Sequence, residues 1–329
     1  MDLFKKIEGR ITSFYKKHII CEQYPMLTST NRKEWLNKGA LGVVYMLHHI
    51  TKKNSSNIPN NEDLKVSPSF LEKIIREYKR QDFDFISLDS LHRILTSGAI
   101  IKRPFIVFTI DDGYLDNYTY ALPVFEKYDV PFAIFVATDF IDKKAILWWD
   151  VIEKMILQGG NIQTKDGHVY CCNTFQQKWD TFRLLRERIL LLDQTRLEEE
   201  LNNMFCYNTI DWYEPIRNQG MSWEQISILS HHPLCTIGGH TVSHPALNKL
   251  DEVTYRWEIE EGVKRIEKVT GTPIEHFAYP YGLTYEKGTL SDSLFHKFNF
   301  KTAFAATGGC ITKDNQHRIA LLPRVFLKQ

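Results

Sequence analysis

Residues 104–138 read PFIVFTIDDGYLDNYTYALPVFEKYDVPFAIFVAT, and this stretch decides the fold. It opens with an apolar run of strand length that ends in two aspartates and a glycine, which predicts a buried strand running into a turn. NYTYALPVFEKYD (117–129) predicts a helix, and VPFAIFVAT (130–138) predicts a second strand. This alternation of strand, helix and strand predicts a parallel sheet, either open or closed into a barrel.

The same rhythm extends in both directions along the chain. Upstream, ALGVVYMLHHI (40–50) is a continuous apolar run that is typical of a buried parallel strand. Ser67 and Pro68 predict the start of one helix, and Gly98 predicts the end of the next. After residue 222 the pattern resumes with a helix, the strand TIGGHT, a long helix, and the strands HFAYPYG and TAFAAT.

Two segments fall outside this rhythm. Residues 145–222 carry helical patterns around one short strand-like piece, HVYCC, and predict a mostly helical insertion. Residues 1–39 place apolar side chains at helical spacing and predict an N-terminal helical extension. We expect that extension to pack on the main domain, residues 40–329, with peripheral contact to a membrane surface as the alternative.

Composition limits the classes of function. The chain has 329 residues, of which 43% are hydrophobic and 25% charged, the proportions of a soluble globular protein. Its formal net charge is +1, so we expect no nucleic acid partner. The N-terminal region lacks a signal-peptide pattern, and no apolar run approaches the roughly 20 residues that cross a bilayer. The six cysteines are scattered and predict free thiols. The sequence therefore predicts a cytoplasmic protein without a transmembrane segment.

Two short segments at predicted strand ends carry candidate metal ligands. In TIDDG (109–113), two adjacent carboxylates point to different sides of the chain, so one can bind a metal while the other stays free. The alternative is a turn in which Asp and Gly serve backbone geometry. In GGHTVSHP (238–245), His240 and His244 are spaced i, i+4 and can share one face of a helical turn, which would let them chelate one ion. A histidine pair at this spacing is also often structural.

Aromatic residues supply candidate substrate contacts. FAYPYG (277–282) is either a packed turn or a wall, including Tyr279 and Pro280, that faces a ligand and offers a backbone N–H. Trp148 and Trp149 are candidates for stacking on a sugar ring, although two tryptophans that open an amphipathic helix are as readily core residues.

Together, TIDDG, HTVSH and AYPYG resemble the polysaccharide deacetylases of carbohydrate esterase family 4. That family carries T-F-D-D-G, H-[ST]-x-x-H and R-x-P-Y segments in this order along the chain. The resemblance covers roughly residues 40–144 and 223–329. It implies an α/β fold, a distorted (β/α) barrel with its site at the C-terminal ends of the strands.

The resemblance also implies roles for individual residues. Asp112, His240 and His244 would bind one divalent metal, most readily Zn²⁺, with Ni²⁺, Co²⁺ or Fe²⁺ also suited to two imidazoles and a carboxylate. Asp111 would be the general base that takes a proton from the attacking water. The backbone N–H of Tyr281 would hold the oxyanion, because Pro280 has no N–H.

The sequence departs from the family pattern at two places. The Arg of R-x-P-Y, which in many relatives pairs with the base carboxylate, is Ala278 here. We predict that Arg324, in ALLPRVFL, is the replacement cation. The family's late L-x-H segment, which supplies the general acid, is missing, and the nearby His317 lies in a polar stretch typical of a solvated side chain.

The expected function is removal of an N-acetyl group from an amino sugar in a lipid- or nucleotide-linked precursor of a surface polysaccharide. Removal of a formyl or O-acetyl group is the first alternative, because the attack on the carbonyl is chemically the same. A catalytically inactive barrel that binds a glycan is the second.

Overall fold

A computed structural model describes residues 39–53, 58–98, 101–207, 210–282 and 295–329. The predicted N-terminal helical extension therefore lies, except for Gly39, outside the described residues.

Strands and helices alternate through most of the described chain. The strands are β1 (Ala40–Leu47), β2 (His49–Ile50), β3 (Lys65–Val66), β4 (Asp84–Phe85), β5 (Phe105–Asp112), β6 (Phe132–Val136), β7 (Asn161–Gln163), β8 (Val169–Cys171), β9 (Cys235–Gly239), β10 (His276–Ala278), β11 (Thr302–Ala305), β12 (Ile311–Thr312), β13 (Leu322–Pro323) and β14 (Val325–Phe326). The α-helices are α1 (Pro59–Glu62), α2 (Pro68–Arg80), α3 (Leu88–Ser97), α4 (Leu122–Tyr128), α5 (Thr138–Ile141), α6 (Trp148–Leu157), α7 (Phe175–Ile189), α8 (Leu197–Met204), α9 (Ile216–Gln219), α10 (Trp223–Ser230) and α11 (Glu252–Thr270).

The predicted local signals explain several element ends. Ser67 caps α2 by accepting a hydrogen bond from the backbone N–H of Phe70, at 3.2 Å, and Pro68 opens the helix. Gly98 ends α3 with a φ of 64°, the left-handed conformation that glycine adopts without a Cβ clash. A π turn (Asn117–Ala121) precedes α4 in the segment predicted as one helix.

The main sheet curls until it is nearly a barrel. Its strands follow the order β12-β1-β5-β6-β9-β10-β11-β13, and every pairing except that of β1 with β12 is parallel. β13 pairs with β11, whereas β14, which begins two residues after β13 ends, pairs with β1. The chain at Arg324 thus bridges the first and last strands, and the predicted distorted (β/α) barrel is confirmed.

Side-chain alternation separates two packed layers. Inward-facing residues such as Val107, Phe135 and Phe304 form a core inside the barrel, which Leu91 and Leu95 of α3 close at the N-terminal ends of the strands. Outward-facing residues pack against the surrounding helices in a separate, larger core.

Residues 145–222 form a mostly helical segment with its own hydrophobic core. That core joins α6, α7 and α8 with the β7–β8 hairpin, whose second strand covers the predicted HVYCC piece. Tyr281, from the loop after β10, packs against the edge of this core. The division of the chain into domains remains a prediction from sequence.

Candidate active site

The three sequence motifs meet at one end of the barrel because parallel strands end on the same side. Asp112 is the last residue of β5, His240 directly follows β9, and Tyr279 directly follows β10. Sheet pairing places these strand ends side by side, because Asp112 pairs with Val136, and Gly239 pairs with both Val136 and Phe277.

Asp112, His240 and His244 form a compact group. The Oδ1 atom of Asp112 lies 3.3 Å from Nε2 of His240 and 3.5 Å from Nε2 of His244, and all three residues have ligand atoms within 4.8 Å of one another. His240 is oriented by its Nδ1, which bonds the carbonyl oxygen of Ala278 at 2.7 Å. With Nδ1 as the donor, the lone pair of Nε2 points toward Asp112, as in metal-binding histidines that are held by a backbone carbonyl.

The predicted helical turn between the two histidines is wrong. Residues 240–244 form an irregular loop, in which Thr241 and His244 have φ values of 72° and 60°. Glu258 of α11 holds this loop, because its carboxylate accepts hydrogen bonds from the backbone N–H groups of Val242 (2.8 Å) and Ser243 (2.9 Å). It also accepts one from the Ser243 hydroxyl at 2.6 Å. The two histidines are therefore brought together by a loop that α11 anchors, and not by the face of a helix.

This group fits a divalent metal. Within the described part of the chain, Asp112 Oδ1 and His244 Nδ1 are buried atoms without a hydrogen-bond partner. Burial lowers the pKa of His244 to about 4, so its imidazole is neutral, which is the form that binds metals. Burial opposes ionisation of Asp112, but the two histidines hold its pKa well below the usual value and keep it a carboxylate. Two imidazoles and one carboxylate are a donor set suited to Zn²⁺ and its first-row neighbours.

Arg324 and Asp111 form a buried two-point ion pair beside this group. Nη1 and Nη2 of Arg324 donate to Oδ1 and Oδ2 of Asp111 at 2.6 and 2.7 Å, and Nη1 also donates to the Thr109 hydroxyl at 3.2 Å. Burial raises the pKa of Asp111, but the guanidinium outweighs this effect and holds the pKa below its ordinary value. The pairing predicted for Arg324 is therefore present, and it is delivered by the segment that closes the barrel.

Sequence analysis missed one residue of this end of the barrel, His48. Leu47 pairs with Ile110, so His48 lies next to Asp111 across the parallel strands. Val44 belongs to the inner core, and the two-residue period of a strand turns His48 to the same inner side. Its Nδ1 is buried and has no hydrogen-bond partner among the described residues. Burial lowers the pKa of His48, while the Asp112 and Asp111 carboxylates oppose that shift. The alternation of inward-facing and outward-facing residues along ALGVVYMLHHI could have identified His48 from the sequence.

The structure corrects two of the predicted substrate contacts. Tyr279 is only 2% exposed, packs edge-on against Phe277 and donates its hydroxyl hydrogen to the carbonyl of Ala320, so it belongs to the outer core. Trp148 is also 2% exposed and lies in the core of residues 145–222, which leaves no ring face for a sugar. Trp149 is partly buried and meets the His244 ring edge-on, with 5.6 Å between centroids.

The remaining candidates differ in position. Pro280 is buried directly before Tyr281, whose ring contacts that of His244 at 4.8 Å between centroids. His317 is exposed at the end of a short 3₁₀ helix, as its polar surroundings predicted.

Solved structures share the architecture of this chain. The chain superposes on the Streptococcus pyogenes deacetylase PplD in complex with acetate with a TM-score of 0.53 and 17% identity, covering 87% of this chain and 92% of that one. It superposes on IcaB from Ammonifex degensii with a TM-score of 0.52 and 18% identity, covering 88% and 93%. At these identities the likeness concerns the fold alone.

Sequence comparison places the chain in a family. The polysaccharide deacetylase family matches residues 100–168 and 198–301, more than half of the chain, and the protein therefore belongs to the polysaccharide deacetylase family. YxkH of Bacillus subtilis (strain 168), which is named as a polysaccharide deacetylase, is 26% identical over 121 residues. That match spans 37% of this chain and 40% of the length of YxkH.

Proposed function

We propose that the protein is a metal-dependent hydrolase that removes an N-acetyl group from an amino-sugar-containing carbohydrate. One observation carries the proposal: a carboxylate and two imidazoles converge within 4.8 Å, directly beside a buried carboxylate that is paired with arginine. Membership of the polysaccharide deacetylase family supports the carbohydrate substrate.

Asp112, His240 and His244 would hold the metal. A divalent ion bound there supplies Lewis-acid chemistry, since it lowers the pKa of a coordinated water and polarises the acyl carbonyl. Asp111 then accepts the proton of the attacking water, while Arg324 keeps this carboxylate ionised and fixed in orientation.

His48 and Tyr281 complete the proposed machinery. His48 lies beside Asp111 with an unpartnered Nδ1 among the described residues, and it donates the proton that the leaving amine needs. The backbone N–H of Tyr281 stabilises the oxyanion formed from the acyl carbonyl.

Two finer features of the function are proposed from the sequence. We place the enzyme in the cytoplasm and take its substrate to be a lipid- or nucleotide-linked amino sugar. Peripheral membrane contact through the N-terminal extension is the alternative to its packing on the main domain. A helix with the length and apolar character of a transmembrane span does not occur among the described residues.

The proposal is tested by metal analysis of the purified protein, followed by an assay with N-acetyl, N-formyl and O-acetyl amino-sugar conjugates. We expect close to one divalent ion per chain and turnover of the N-acetyl conjugates. His240→Ala and His244→Ala should each lower metal content steeply, because a site with three protein ligands has little redundancy. Turnover of formyl or O-acetyl conjugates alone would replace N-deacetylation by those activities. A protein that binds glycan without metal and without turnover would be the inactive barrel.

A further inference from the structure

Tyr281 has a conformation that its surroundings must hold in place. Its φ is 57°, in the left-handed region that non-glycine residues occupy only when neighbouring contacts enforce it. On the following side, the carbonyl of Gly282 accepts a hydrogen bond from the N–H of Ala306 at 2.7 Å, which fixes this loop to the end of β11. The Tyr281 ring, in turn, lies against the candidate metal ligand His244.

Two further contacts of the Tyr281 side chain come from residues 145–222. Nε1 of Trp148, the first residue of α6, donates a hydrogen bond to the Tyr281 hydroxyl at 3.2 Å. The guanidinium carbon of Arg186, on α7, lies 5.9 Å from the centroid of the Tyr281 ring, within cation–π range. The two helices thus hold the ring at its hydroxyl and at its face.

The residues that make these contacts are themselves well fixed. Trp148 is 2% exposed within the core that α6 and α7 share, so the position of its indole is determined by packing. Arg186 also bonds Glu187 at 3.1 Å, and its side chain is only 19% exposed. Arg186 lies in the stretch between residues 168 and 198, which the polysaccharide deacetylase family does not match.

We propose that Trp148 and Arg186 are positioning residues that clamp the Tyr281 side chain and thereby fix the backbone N–H that receives the oxyanion. This inference rests on the proposed function, in which Tyr281 supplies that N–H. It gives residues 145–222 a part in the reaction, because misplacing a group at the reacting centre by about 1 Å can cost about 10²-fold in rate.

A double-mutant cycle tests the hydrogen bond. Tyr281→Phe removes only the hydroxyl and Trp148→Phe removes the indole donor, so each should lower kcat roughly five- to tenfold with KM and metal content unchanged. The double variant should be no worse than the more damaged single variant, because both changes break the same bond. Losses that multiply, or single variants with the kcat of the wild type, would overturn the clamp. If Trp148→Phe fails to fold, Tyr281→Phe still decides the kcat effect.

The cation–π contact is tested on the same helix with a matched control. Arg186→Gln should lower kcat, and Arg186→Lys should restore most of it, because lysine keeps a cation over the ring. Arg183→Gln is the control: Arg183 lies 5.9 Å from the Trp179 ring on α7 and pairs with Asp180, and its loss should leave kcat unchanged. If Arg186→Gln and Arg183→Gln lowered kcat equally, the loss would come from a general disturbance of α7 and not from the contact with Tyr281, which would overturn this part of the clamp.

Amide hydrogen exchange provides a readout that does not depend on turnover. The backbone amides of Tyr279, Tyr281 and Gly282 should exchange faster in Trp148→Phe and Arg186→Gln than in the wild type and in Arg183→Gln. Unchanged exchange would overturn the clamp, even if the wild type proved inactive on every conjugate and the proposed function had failed. Faster exchange with unchanged kcat in an active enzyme would show a clamp that does not serve catalysis.

Discussion

Arg324 and Asp111 form a fully desolvated pair, which makes each side chain dependent on the other. Arg324 is 1% exposed and Asp111 2% exposed, so removing one partner leaves a buried, uncompensated charge. Such a loss typically destabilises a protein by about 3–5 kcal/mol. The two-point geometry also fixes both carboxylate oxygens, which a lysine at position 324 could not do. Ala278 occupies the motif position where many relatives have arginine. Its carbonyl oxygen instead bonds His240 and orients that ring.

His48→Gln tests the proposed proton donor. The glutamine keeps a polar group of similar size but cannot deliver a proton, so turnover should fall about 10²-fold or more while metal content stays at the wild-type level. His49→Gln is the matched control, because His49 pairs with Asp116 at 2.7 Å instead of facing Asp111. Metal analysis and steady-state kinetics of both variants check the prediction. Wild-type turnover in His48→Gln would assign the proton to another donor.

The sequence predicted the group of Asp112, His240 and His244 and the pairing of Arg324, but it did not predict the position of His48. TIDDG and HTVSH match motifs of a known family, so the resemblance implied their joint role, and Ala278 in place of the usual arginine prompted the choice of Arg324. His48 and Asp111 are 63 residues apart in number and meet only because β1 and β5 pair in parallel. A search for the general acid late in the chain could not find a residue that sheet pairing delivers from the first strand.

At the scale of elements, α11 sets the position of the histidine loop. The backbone of Thr241 approaches α11 so closely that a Cβ added at Gly262 would lie 2.9 Å from the Thr241 carbonyl oxygen. Four residues earlier on the same helix, Glu258 accepts three hydrogen bonds from Val242 and Ser243. The sequence reading of i, i+4 histidines as one helical turn was wrong because Thr241 and His244 take left-handed φ values that interrupt a helix.

Glu258→Gln tests this support of the loop. The neutral amide oxygen accepts the two backbone hydrogen bonds more weakly than a carboxylate does, and Ser243 must reverse its hydrogen bond to accept from the NH₂, so the loop is held less firmly. We expect metal affinity to fall about tenfold, the lower end of the range for groups that orient metal ligands. Glu260→Gln is the control on the same helix, because Glu260 is exposed and pairs with Lys297 at 2.6 Å. Titration of both variants with Zn²⁺ against a competing chelator measures the effect, and equal affinities would contradict it.

On the scale of the whole molecule, the barrel has a reactive end and a structural end. The helix α3 closes the structural end, and its Asp89 contacts Lys301 at 2.8 Å and His276 Nε2 at 3.6 Å, beside the starts of β10 and β11. The interaction with His276, and to a smaller extent the one with Lys301, lowers the pKa of Asp89 below its usual value of 3.8. Loss of these contacts should lower stability without changing turnover, because the candidate active site lies at the opposite end of the barrel.

Asp89→Asn should lower the melting temperature at pH 7 by about 1–2 °C, a small effect because the carboxylate is half exposed, and should leave kcat unchanged. The pKa of Asp89 is lower in the folded chain, so the unfolded chain takes up the proton first as pH falls. The stabilisation is therefore complete above about pH 4 and decreases below it. Melting curves of wild type and Asp89→Asn at pH 7 and pH 3 check this. A difference in melting temperature between the two proteins that grows toward pH 3 would contradict this role of Asp89. Asp82→Asn is the control, because Asp82 forms an exposed ion pair with Arg103.

The sequence predicted a parallel sheet because strand and helix signals alternate regularly in residues 40–144 and after residue 222, and the family resemblance implied that this sheet forms a barrel. It did not predict how the barrel closes, because β13 and β14 are two residues each and too short to leave a periodic pattern. It also did not predict that the core of residues 145–222 would reach Tyr281, since such a contact depends on packing between distant segments.

The roles of the two adjacent aspartates are the central claim, and metal content and turnover of Asp111→Asn and Asp112→Asn test it most directly. Asp111→Asn should keep the metal yet lose about 10²–10⁴-fold in turnover, because the amide cannot accept the proton of the attacking water. Asp112→Asn should instead lose metal, because a neutral amide oxygen is a poorer ligand than a carboxylate. If Asp111→Asn lost the metal while Asp112→Asn kept it, the two roles would be reversed, and full activity in both variants would contradict the hydrolase itself.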